Sequence, residues 1–154
     1  MKLIAHRGNL SGPLSDQENS PTYIDSALSL GFDAEIDLWY ERSSLFLGHD
    51  FPQYSTCIEW LMERSQKLWI HSKSIETVFY LSHHLNLNYF FHNKDEVTLT
   101  SKNFLWTSPG LTLTSLSIDV MPELIYPKYC HEASSYIHNP YGVCTDFPIN
   151  FEYL

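Results

Sequence analysis

Long apolar runs are scarce in this 154-residue chain. The longest wholly apolar stretches cover a few residues, as at Val78–Leu81, well short of the roughly 20 that a membrane-spanning helix needs. Positive charge is sparse too: nine Lys plus Arg stand against eighteen Asp plus Glu, a formal charge of −9, and the basic residues form no cluster. That balance argues against nucleic acid or an anionic membrane as the main partner. Cysteine is rare, and Cys57, Cys130 and Cys144 share no C-x-x-C spacing, which argues against a disulfide framework or a thiolate zinc site. The apolar stretch near the start is only Leu3-Ile4-Ala5, too short for a signal-peptide core, so the expected location is the cytoplasm. Repeats, linkers and low-complexity tracts are lacking as well. Residues 1–154 are therefore expected to form a single domain, at roughly 100–200 residues per domain.

What is present is a globular composition, 44% apolar and 18% charged, with 10 Tyr, 9 Phe and 4 Trp. Leu3-Ile4-Ala5 reads as a short buried strand, and Ser20-Pro21 as the N-cap and first residue of a helix stopped at Gly31. Asp33–Tyr40 alternates strictly, with Ala34, Ile36 and Leu38 on one face and Glu35 and Asp37 on the other. Leu45–Asp50 returns as a hairpin partner. Thr56–Gln66 and Ile75–Leu85 read as helices, and Leu68–Lys73 and Asn88–His92 as strands. Phe104–Thr107, Leu116–Met121 and Tyr141–Phe147 read as further strands, and Pro122–Ile137 as a short helix or irregular turn. The first half alternates strand and helix, which implies a parallel sheet; later connections are too short for crossover helices of a dozen or more residues. An ordinary (β/α)₈ barrel takes about 250 residues. The expected fold is accordingly α/β: a compact, truncated TIM-like (β/α) barrel with short loops in place of several second-half helices.

The chemistry-bearing residues fall at strand ends. His6-Arg7-Gly8 follows the first strand; Glu35 and Asp37 share one face of the next; Gly48-His49-Asp50 and the pair His71 and Lys73 close two more. Collected at one end of a parallel sheet, they give two carboxylates, three imidazoles and two cations. Phosphoryl transfer uses such a set: charge neutralisation of phosphate oxygens, and imidazoles that move protons. Each piece alone also has a plain structural reading, and Lys73 could neutralise the carboxylates without any metal. Trp106 could stack on a ligand or simply pack in the core.

The ordered set Ile4-Ala5-His6-Arg7-Gly8, Glu18-Asn19-Ser20, Ala34-Glu35-Ile36-Asp37 and Gly48-His49-Asp50, with the terminal Gly142–Pro148, resembles the glycerophosphodiester phosphodiesterases, a family of the PLC-like superfamily. The resemblance covers the chain from first strand to last, although the family's chains are usually far longer. It implies one hydrolase domain in which His6 and His49 are the general acid/base pair and Arg7 and Lys73 contact phosphate. It also implies that Glu35 and Asp37 hold a divalent ion, Mg²⁺ or Ca²⁺. The family's Ile-Glu-x-Lys is here Ile70-His71-Ser72-Lys73, so an imidazole replaces one carboxylate. His71 makes a transition metal an alternative, since Mg²⁺ and Ca²⁺ prefer oxygen. Glu123 or Glu18 could restore a third oxygen, with Glu123 the favoured one because it follows a strand. The expected function is metal-dependent hydrolysis of a small phosphodiester, with the partner a small phosphorylated substrate. The alternatives are a phosphate-ligand-binding protein without turnover and a phosphomonoesterase. A homo-oligomer is also expected, covering apolar surface left bare by the missing helices.

Overall fold

The computed structural model describes residues 1–125 and 140–151. In chain order the elements are β1 (Lys2–Ala5), α1 (Pro21–Ser29), β2 (Asp33–Glu41), β3 (Ser44–Leu47), β4 (Tyr54–Thr56), α2 (Ile58–Glu63), β5 (Leu68–Ser72), α3 (Ile75–Leu81), β6 (Tyr89–Phe90), β7 (Val97–Leu99), β8 (Leu105–Thr107), β9 (Ser117–Val120) and β10 (Gly142–Thr145). Short 3-10 turns follow β1, β9 and β10. Cys130, His131, His138 and most of the Pro122–Ile137 reading lie outside the described residues, which begin that stretch with a 3-10 turn at Pro122–Leu124.

The strands form one 10-stranded sheet ordered β4-β3-β2-β1-β10-β9-β8-β7, with β5 on the other side of β2 and β6 beside β5. The pairs β6-β5, β5-β2, β2-β1, β1-β10, β10-β9 and β9-β8 are parallel; β2-β3, β3-β4 and β7-β8 are antiparallel. Ile4 stands opposite Cys144 and Asp33, Glu35 opposite Trp69, and Asp37 opposite His71. These residues therefore share one face.

The expected truncated (β/α) barrel is not what these residues build. The finding is a curled, open, mixed sheet that carries, among the described residues, only three short α-helices, all before Ser82. Among the described residues no ladder joins β6 to β7 or β8, so the sheet does not close. The physical reason lies in the connections. Between β6 and β9 each link is a loop too short to cross over as a helix, and the strand beside β8 on that side, β7, pairs antiparallel where a barrel has a parallel strand.

Curling is visible in the ring contacts. Trp69 on β5 lies 6.1 Å from Trp106 on β8, and Phe90 on β6 stacks on Trp106 at 4.5 Å, although these strands are far apart in the sheet order. With Ile4, Ile118 and Cys144 they form the core inside the curl. A larger cluster lies on the outer face, where Ala34, Ile36, Leu38, Leu68 and Ile70 meet Ile24 of α1, Leu61 of α2 and Leu81 of α3. The apolar side of the alternating β2 strand thus faces the helices, which leaves Glu35 and Asp37 inside and buried. Ser20 caps α1 through its hydroxyl to Tyr23 N, Pro21 takes the first turn, and Gly31 leaves at φ +98°. A cap of this kind contributes about 1 kcal/mol. No described helix is long and apolar enough to cross a membrane.

Candidate functional site

At the C-terminal ends of the parallel strands lies a cavity of about 350 Å³ lined by His6, Arg7, Glu35, His49, His71, Lys73, His92 and Trp106, among others. Behind its lining lies Asp37, which is fully buried and bonded to the lining residues His71 and Lys73. Oδ1 of Asp37 is 3.0 Å from His71 Nδ1 and accepts from Lys73 Nζ at 3.1 Å. Oδ2 accepts from Asn19 Nδ2 at 2.9 Å and stands 3.1 Å from Arg7 Nε, an ion pair without hydrogen-bond alignment. Burial opposes the Asp37 charge, but the His71 hydrogen bond and the Lys73 and Arg7 cations outweigh it and hold the carboxyl well below its usual range. Glu35 behaves oppositely. Burial, reinforced by the Asp37 charge, pushes its pKa up, and its Oε2 accepts from Arg7 N at 3.2 Å.

His6 is set by β1, which ends at Ala5 and turns sharply through Arg7 at φ +52° and Gly8 at φ +87°. A side chain at position 8 would press on Ile24 and Tyr23 of α1, so the turn needs glycine for space as well as conformation. His6 Nδ1 lies 2.8 Å from Asp146 Oδ1 just beyond β10. Burial works against a charged imidazole here, yet the Asp146 bond and the Glu35 field prevail and raise its pKa. Asp146 is lowered in turn: burial is outweighed by the bonds from His6 and Asn9.

His49 arrives on the return of the hairpin. Gly48 N donates to Asp37 O, and Trp39 Nε1 donates to Gly48 O at 2.6 Å, which anchors the turn that presents His49. His49 is half-exposed, 2.8 Å from Asp50 Oδ1, and partial burial lowers its pKa. His92 follows β6. Its ring centroid is 4.7 Å from that of His71, its Nδ1 is buried without a hydrogen-bond partner, and burial together with His71 lowers its pKa.

Compared with known proteins, the chain matches no family model, no curated protein and no solved structure. The functional reading therefore rests on these residues.

His6, Arg7, Glu35, His49, His71, Lys73 and Trp106 all line one cavity. Trp106 is nonetheless almost wholly buried against Phe90, so packing dominates its role. Glu35, Asp37 and His71 each offer a ligand atom no more than 4.8 Å from the others. Two donors on one small ion at about 2.1 Å are up to about 4 Å apart, so a small side-chain shift gathers the three around an ion. The donor set fits a divalent metal. Glu123 is not in that group, and its Oε2 is buried without a hydrogen-bond partner. Its Oε1 accepts from Thr145 Oγ1 and Asp146 N, which supports the turn carrying the His6 partner. Glu18 likewise serves Arg7 Nη1 and Asn9 Nδ2.

Three contributors were not assigned roles from the sequence. Asn19 clasps Asp37, and Asn9 and Asp146 join in orienting His6, all through partners distant in sequence.

Proposed function

We propose that this chain is a metal-dependent phosphodiesterase acting on a small, glycerophosphodiester-like substrate. The observation that carries the reading is the placement of two imidazoles, each oriented by a carboxylate, in one cavity with Arg7, Lys73, Glu35 and His71, the last two grouped with the buried Asp37. His49, held towards the neutral form, accepts the proton of the attacking water or of the substrate's own neighbouring hydroxyl. A P–O bond forms to that oxygen and the bond to the leaving alkoxide breaks. His6, held towards the charged form, gives its proton to the alkoxide. Arg7 and Lys73 pair with the non-bridging oxygens. A divalent ion on Glu35, Asp37 and His71 would supply further charge neutralisation to the phosphoryl group.

A second reading is favoured by the saturation of Asp37, which already has His71, Lys73, Asn19 and Arg7 around it. Such a site can bind a phosphate ligand without metal or turnover. Paired mono- and diester substrates, assayed with and without added divalent ion, separate the readings. Diester cleavage that tracks metal concentration supports the first. Calorimetric binding of a sugar- or lipid-derived phosphate with no product supports the second, and cleavage of the monoester alone makes the protein a phosphomonoesterase.

A further inference from the structure

We propose that His71 tunes this pocket to a borderline divalent transition ion of the Zn²⁺ or Co²⁺ class, in preference to Ca²⁺ and Mg²⁺. The inference rests on the metal-dependent phosphodiesterase reading and names the ion that its site takes.

Geometry comes first. His71 Nδ1 and Asp37 Oδ1 are 3.0 Å apart, and Glu35 completes a group of three donors within 4.8 Å. Neighbouring donors about 2.1 Å from one ion stand about 3.0–3.4 Å apart, so an ion that replaced the proton of the His71–Asp37 hydrogen bond would meet these two atoms at the spacing of adjacent ligands. Three protein donors, one of them imidazole, with Glu35 and His71 lining the cavity, form the donor set of catalytic zinc-type sites.

Hard ions are poorly served by the same arrangement. Ca²⁺ gathers about six to eight oxygens, often with a carboxylate bound through both of its oxygens. Asp37 is poorly placed for that, because its Oδ2 is held by Asn19 with Arg7 beside it, which leaves Oδ1, shared with His71 and Lys73, as its one donor to an ion. Of the carboxylates that might have added oxygen, Glu18 has both oxygens bonded to Arg7 and Asn9. Glu123, whose Oε1 is bonded to Thr145 and Asp146 and whose Oε2 has no hydrogen-bond partner, lies outside the three-donor group. Nitrogen, by contrast, is plentiful. The His71 ring is packed against Phe90 and His92 at centroid distances of 5.2 and 4.7 Å, and the buried, unpartnered His92 Nδ1 adds a second nitrogen beside the group. Imidazole suits Zn²⁺, Co²⁺ and their neighbours, whereas carboxylate and water suit Mg²⁺ and Ca²⁺.

Titration of the metal-free full chain with Co²⁺, followed by visible absorption, tests this without substrate. The wild type should develop d–d bands that Zn²⁺ abolishes and that equimolar Ca²⁺ or Mg²⁺ leaves intact. Zn²⁺-class ions outbind Mg²⁺ at most mixed sites, so the variants decide. His71→Glu should lose about 10-fold or more in Co²⁺ affinity and gain in Ca²⁺ affinity, and His71→Gln should show the Co²⁺ loss alone. Wild-type Co²⁺ affinity and spectrum in both variants would overturn the proposal, as would a wild type without Co²⁺ bands. If circular dichroism shows that the variants do not fold, a paramagnetically shifted imidazole N–H signal in the Co²⁺-loaded wild type gives the same reading, and its absence contradicts it. Mg²⁺-dependent hydrolysis with no dependence on residue 71 would defeat this inference and leave the phosphodiesterase reading standing. Co²⁺ ligation by His71 without hydrolysis would do the reverse.

Discussion

Asn19 and Asp37 hold each other by two hydrogen bonds: Asn19 Nδ2 donates to Asp37 Oδ2 at 2.9 Å, and Asp37 N donates to Asn19 Oδ1 at 2.8 Å. Asn19 sits at φ +63° just before the Ser20 cap, so the loop into α1 and the central carboxylate of the site are one unit. In the sheet it fills the gap beside β2 between the end of β1 and the return of β3.

Asn19→Ala should therefore cost about 3 kcal/mol of stability, because it removes a bond to a charged group and leaves the buried Asp37 amide unpaired. Urea denaturation measures this. A loss below about 0.5 kcal/mol would show that the clasp contributes nothing.

Gly48→Ala should destabilise by about 1–3 kcal/mol and displace His49. Gly48 has φ +149°, and a Cβ there would collide with the Phe51 carbonyl oxygen. Denaturation gives the first quantity, and the His49 ring signals in NMR give the second. Unaltered His49 chemical shifts would contradict the anchoring role given to this turn.

The His6–Asp146 pair sets a pH window for stability. His6 is raised from 6.5, so its contribution is complete below that value and is lost as pH rises through the folded pKa. Asp146 is lowered from 3.8, so its contribution is present above that value and is lost as pH falls through the folded pKa. The stability difference between wild type and Asp146→Asn should be largest between 3.8 and 6.5 and shrink on both sides. A difference that does not vary with pH would rule out the coupling.

Catalysis should show a bell-shaped kcat/KM profile. The acid limb has its midpoint below 6.5, where His49 gains a proton, and the alkaline limb above 6.5, where His6 loses one. Asp146→Asn removes the interaction that raises His6 and should move the alkaline limb to lower pH, leaving the acid limb in place. An alkaline limb that stays put would remove His6 from the acid role.

Much of the site was legible because it depends on local periodicity. Glu35 and Asp37 alternate with Ala34, Ile36 and Leu38, and His71 and Lys73 sit two apart at a strand end, so their faces follow from the pleat. The Ser20-Pro21 helix start is equally local. What was missed depends on distant partners. β4 and β7 are three-residue strands with no buried side chain, so no apolar run marks them as it marks the short β6 and β8, and Thr56, expected to start a helix, ends β4. The bonds of Glu123 to Thr145 and Asp146 are equally non-local, set by the packing of β9 against β10. Openness of the sheet is likewise a non-local property: it turns on whether β6 pairs with β7 or β8, which no short segment encodes.

The central claim is that His6 and His49 move protons in phosphodiester cleavage. Its most direct test is the metal-activated hydrolysis rate of His6→Ala and His49→Ala beside wild type on one small phosphodiester. Each variant should fall by about 10²–10⁴ while retaining its fold by circular dichroism. Wild-type rates in both variants would contradict the account.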